Sequence, residues 1–222
     1  MEKKFEHISP KIIGSLSDGV FAIAITLLGL DVVGLVPEIS TSENVNSAMI
    51  ENWPTFFAYT LGFVVLFSSW YRYHCVGQYI SSTNTWLVWQ QGMDLAWVAL
   101  MPFGVSMLAR SLGTPQEKWG VFYFGICLFG NYWTTLILLT IAKFDFNISY
   151  DHRLPVPLEL MGRITLLATG LGATVGACLV IAALAFDKVA IVGYGIYVAA
   201  NLSPLVTLNV FLRLLVRIKA PR

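Results

Sequence analysis

The sequence predicts an all-α, polytopic membrane protein with six transmembrane helices, and three observations carry that prediction. Of 222 residues, 56% are hydrophobic and only 12% charged, against about 25% charged in ordinary soluble domains. Mean hydropathy is +0.69, which means more apolar surface than a soluble fold of this size can hide. The apolar residues also gather into six runs, each near the roughly 20 residues that a membrane helix takes.

The spans run over about 13–35, 53–74, 85–109, 119–142, 160–185 and 190–214. The first is too long for a signal-peptide core, carries Asp18 and lacks a following small-x-small cleavage site, so it counts as structure. The second ends in "SSWYRYH" and the third contains "MPF". The fifth holds "GLGATVG", where Gly172 and Gly176 form the small-xxx-small pattern of close helix packing. Pro102 and Pro204 predict kinks in the third and sixth. The longest connections, about 36–52 and 143–159, read as short loops. Residues 1–222 are thus expected to form a single transmembrane domain.

Charge sets the expected orientation. Eleven of the fourteen Lys and Arg fall on one side: Lys3, Lys4, Lys11, Arg72, Lys143, Arg153, Arg163, Arg213, Arg217, Lys219 and Arg222. Only Arg110, Lys118 and Lys188 fall on the other, where Glu38, Glu43 and Glu51 also lie. Both termini are therefore expected in the cytoplasm of a multi-pass cell-membrane protein. Trp53, Trp86 and Trp119 sit near span ends, as interfacial anchors do.

Several function classes drop out. A net charge of +1 without a basic, aromatic-interleaved patch gives no case for nucleic acid. Cys75, Cys127 and Cys178 are scattered among apolar residues, with no metal spacing or disulfide framework. Three histidines, one in the N-terminal tail and one in a loop, make a poor case for an enzyme. Asn-x-Ser patterns at Asn147 and Asn201 fall on the cytoplasmic side and inside a span, so neither is expected to carry a glycan. No cofactor and no small-molecule substrate is expected.

Ionisable residues at membrane depth are costly and default to a functional or pairing role. Asp18 lies early in span 1, and Trp70, Arg72 and His74 lie at similar depth on span 2. One reading makes Asp18 an ion-binding or proton-relay group. The other makes it a buried tie to Trp70 or His74, and the donors at matching depth favour the tie. Asp94, after Gln90 and Gln91, either bonds across helices or lines a wet vestibule. Asn131, Asn201 and Ser203 fit interhelical hydrogen bonds.

Span 1 is two-faced. At about 100° per residue, Leu27 and Leu30 lie within about 40° of Ile23, with Leu16 and Gly34 near the same line. Thr26 stands about 60° to one side, and Asp18 about 140° away. Such a stripe most often faces lipid or a neighbouring helix. It can also serve as a hydrophobic constriction that filters by dewetting, and a central pore would then need symmetric copies of the chain.

"SDGVFAIAITLLGLD", Ser17 to Asp31, resembles the first-helix signature of prokaryotic relatives in the transmembrane protein 175 family of endosomal and lysosomal potassium channels. That signature reads Arg-x-x-x-Phe-Ser-Asp, then Gly-Val-Phe-Ala-Ile-Ala-Ile-Thr-Leu-Leu. Six spans, Trp70-x-x-x-His74 and "MPF" fit as well. The resemblance implies a homotetrameric, potassium-selective channel, and no Thr-Val-Gly-Tyr-Gly-like filter segment occurs here. It implies that four first helices line the pore, with Ile23, Leu27 and Leu30 at the hydrophobic constriction and Thr26 in a hydroxyl layer for potassium. It also implies a structural network of Ser17 and Asp18 with Trp70 and His74. The chain departs from the pattern where Ile12 and Leu16 replace the motif Arg and Phe, with Lys11 one residue aside.

The lipid bilayer and three further copies of the chain are the partners this implies, with potassium as permeant ion rather than cofactor. Without an Arg-rich voltage-sensing span or a ligand-binding domain, the conductance is expected to be leak-like. The alternative is a proton-coupled secondary transporter using Asp18, His74 or Asp94. Discontinuous helices and an inverted repeat would mark one, and neither is evident.

Overall fold

The computed structural model describes residues 10–77, 85–144 and scattered positions between 169 and 185. Its helices, in order, are α1 (Pro10–Gly34), α2 (Val36–Thr41), α3 (Val45–Glu51), α4 (Trp53–Gly77), α5 (Thr85–Ser111) and α6 (Glu117–Phe144). No strand occurs among the described residues. The four long helices coincide with the first four expected spans to within three residues at each end. The expected sixth span, with Asn201, Ser203 and Pro204, lies outside the described residues, as do Gly172 and Gly176 of the fifth.

By length and apolarity, Gly14–Thr41, Thr85–Ser111 and Glu117–Leu138 qualify as membrane-crossing helices. Helix α4 has a comparable 25 residues, but its last turns gather Ser68, Ser69, Trp70, Tyr71, Arg72, Tyr73 and His74 and lower its hydropathy. Trp53, Trp86 and Trp119 stand exposed in the first turns of α4, α5 and α6.

One correction concerns a detail. The 36–52 connection is not irregular loop but holds α2 and α3. Pro37 starts α2, where its missing N–H costs nothing. Asn44 caps α3 by accepting from the Ser47 N–H at 3.2 Å. Asn52 then ties the two short helices by donating to Glu38 at 3.2 Å. Pro102 lies inside α5, within the third expected span.

Helix α5 is central, touching α1, α4 and α6. The α5–α6 link turns at Gly113, whose φ of +75° is a left-handed conformation that favours glycine. Opposed pairs across this seam, Asp94 with Thr134 and Gly104 with Phe124, show the two helices running antiparallel. Helix α1 likewise runs antiparallel to α4, with Ser17 against Tyr73 and Leu28 against Gly62. One apolar core joins Phe21, Ala24 and Leu28 of α1 to Leu61, Val65 and Leu66 of α4. It continues through Val98, Met101 and Leu108 of α5 to Phe124, Leu128 and Tyr132 of α6.

Candidate functional site

Helix α1 packs by one side only. Ser17, Phe21, Ala24 and Leu28 are buried, each three or four residues from the next, a single helical stripe. The opposite side stays open. Ile23 and Leu30 are each 62% exposed and Leu27 43%, with Leu16 and Val33 open beside them. Far less of α1 is buried than of α5 or α6, although α1 is the most apolar of the three. Its best apolar surface is therefore turned away from the chain's own core.

Thr26 is exposed on this open side, and its hydroxyl donates to the Ile23 carbonyl at 2.8 Å. Because the proton is committed to the backbone, the oxygen's free lone pairs face outward. A hydroxyl in this state can accept from water or coordinate a cation.

Asp18 accepts a 2.8 Å hydrogen bond from the Trp70 indole N–H. Trp70 in turn stacks on His74, ring centroids 5.4 Å apart. Of the two partners weighed for Asp18, the indole is the one in contact, and the carboxylate lies at the surface of the chain rather than buried. Ser17 is fully buried and donates to the Tyr73 hydroxyl at 2.9 Å. Tyr73 escaped the sequence reading although it stands within "SSWYRYH", three residues past Trp70. The side chains of Lys11 and Ile12 lie outside the described residues.

Asp94 bonds across helices rather than lining an exposed vestibule. It is 2% exposed and accepts from Thr134 at 2.7 Å and Thr135 at 2.9 Å. Asn131 accepts from Ser69 at 2.9 Å, joining α6 to α4. Cys127 is a free buried thiol, and no cluster of metal ligands occurs among the described residues.

A second contact at the far end of α1 was missed entirely. Asp31 accepts from the Ser106 hydroxyl and lies 3.6 Å from the Arg110 guanidinium, both on α5. The available signal was spacing: Ser106 and Arg110 are four apart, hence on one face of a span that ends where span 1 ends.

Residues 13–102 match the family described as "Endosomal/lysosomal potassium channel TMEM175". Over that stretch, less than half of the chain, the sequence is similar to the TMEM175 family. The matched stretch takes in α1, α4 and Asp94, and stops just short of Ser106. The chain is 33% identical over 108 residues to a potassium channel of Chamaesiphon minutus, covering 48% of this chain and 52% of that protein. It is 37% identical over 98 residues to one of Streptomyces collinus, covering 44% and 47%. The chain thus spans about half the length of the curated relatives it matches. The fold also matches the crystal structure of a lysosomal potassium-selective channel TMEM175 homolog from Chamaesiphon minutus. The TM-score is 0.71 at 20% identity, over 88% of this chain and 97% of that one. Among the described residues the chain is all-helical, with three helices long and apolar enough to cross a membrane.

Proposed function

We propose that this chain is a TMEM175-type subunit of a potassium-permeable channel, in which four copies of α1 surround one axis. The carrying observation is the open apolar stripe of α1, Ile23, Leu27 and Leu30, on a helix whose other side is packed against α4 and α5. Three aliphatic layers across eight residues make a band about 10 Å tall. An ion crossing it sheds part of its water, and the weaker-hydrated potassium sheds it more cheaply than sodium. Thr26 supplies an oxygen layer beside this band, its lone pairs turned outward. The protein conducts ions and catalyses no reaction. In this reading six spans put both termini on one side, the Lys and Arg bias makes that side the cytoplasm of a cell-membrane protein, and the conductance is leak-like.

The test is ion flux from liposomes holding the purified chain. Wild type is expected to pass potassium faster than sodium, through ohmic single-channel currents. Thr26→Val keeps the shape but deletes the oxygen, and is expected to lower the potassium-to-sodium ratio about threefold to tenfold. Absence of potassium flux, or saturable exchange in place of ohmic current, would falsify the pore.

Asp18 has a different part in this reading: it anchors the pore helix from behind. Trp70→Phe retains the ring and removes only the N–H that Asp18 accepts. It is expected to lower the melting temperature by about 2–4 °C while leaving the flux ratio unchanged. A changed ratio in a fully assembled Trp70→Phe protein would count against the anchor and for direct contact with the ion.

A further inference from the structure

Helix α1 is fastened at its two ends to two different helices. At one end, Ser17 and Asp18 bond to Tyr73 and Trp70 of α4. At the other, Asp31 meets Ser106 and Arg110 of α5. Between them, among the described residues, α1 is held by packing through Phe21, Ala24 and Leu28. The second fastening is the one beside the open stripe. Asp31 follows Leu30 directly and lies one helical turn beyond Leu27, about 40° around the axis from it. Its side chain is 24% exposed, at the seam between the packed and the open sides.

The two partners of Asp31 differ in strength. The Ser106 bond is part-buried and charge-assisted, the stronger kind. Arg110 is 80% exposed, and exposed pairs contribute little. Because an α-helix is stiff over one turn, a restraint on Asp31 is a restraint on Leu27 and Leu30. We infer that Asp31, held by Ser106 and trimmed by Arg110, is a positioning residue for ion selection. It sets how far Leu27 and Leu30 stand from the pore axis, and so how much water an ion must lose there. The inference rests on the pore reading of α1.

The experiment uses the full chain in liposomes, with potassium and sodium flux measured per mass of assembled protein. Asp31→Ala is expected to lower the potassium-to-sodium ratio about tenfold, the size of a lost hydrogen bond to a charge. Asp31→Asn, which still offers Ser106 an oxygen, is expected to lose about threefold or less. Arg110→Ala is expected to change the ratio by about twofold or less. A merely structural contact would lower the yield of Asp31→Ala and leave the ratio of its assembled fraction at the wild-type value, which overturns the inference. Should Asp31→Ala fail to assemble, Ser106→Ala removes one hydroxyl and carries the same expected loss of about tenfold. An assembled Ser106→Ala protein with the wild-type ratio overturns the inference equally. A wild-type chain that passes no potassium defeats the pore reading itself, whereas a selective wild type with unresponsive variants defeats only the latch.

Discussion

Replacing Ile23, Leu27 and Leu30 together with alanine is expected to raise the flux of both potassium and sodium and to abolish the preference between them. All three side chains lie on the open side of α1 and none belongs to the buried core, so their truncation leaves the packed face of Phe21, Ala24 and Leu28 intact. The physical change is confined to the band. Four copies of each alanine leave space where four branched side chains stood, and an ion then crosses with its water. A barrier lowered by about 1.4 kcal/mol already gives a tenfold faster crossing, and three layers are expected to give at least about tenfold. Liposome flux with each ion in turn reads both quantities. Unchanged flux and preference in an assembled triple variant would show that the stripe faces lipid instead.

Gly120→Val is expected to have the largest effect on stability, because the α5–α6 seam has no room at that position. A Cβ at Gly120 would lie 1.7 Å from the Ser111 hydroxyl and 2.7 Å from the Met107 carbonyl oxygen. The hydroxyl can rotate away. The carbonyl belongs to the α5 backbone and cannot move without parting the helices. Overpacking of this kind costs about 1–3 kcal/mol and more where backbone must shift, so folded protein recovered in detergent should fall severalfold. Gly92→Ala provides the control, since nothing lies near a Cβ there. Equal yields from the two variants would contradict the close approach at Gly120.

The long helices were legible because a segment in lipid must satisfy its backbone within itself, so length and apolarity alone mark it. The two faces of α1 were legible for a related reason: the angle between Ile23 and Asp18 follows from helix geometry without any knowledge of neighbours. Partners across helices were not. That Ser17 would meet Tyr73, and Asp31 meet Ser106, depends on which helix packs beside α1 and at what height. Residues 56 and 75 positions apart carry no local trace of that. Asp94 shows the same limit, since a carboxylate amid Gln90, Gln91 and Trp97 reads alike whether it faces water or Thr134 and Thr135. The short helices α2 and α3 were hidden because their apolar pattern is too brief to have a period. They owe their form to Pro37 and the Asn44 cap.

The uncovered stripe of α1 has a consequence for how the protein is made. In water, Ile23, Leu27 and Leu30 would drive a lone chain to aggregate. In a bilayer, acyl chains cover leucine as well as another leucine does, so a single chain meets no such pressure. Association then rests on the fit between subunits and on how many chains share a given area of lipid. If four chains form the proposed pore, a cell that makes few copies would hold mostly separate, silent chains, and conductance would rise more steeply than the amount of protein.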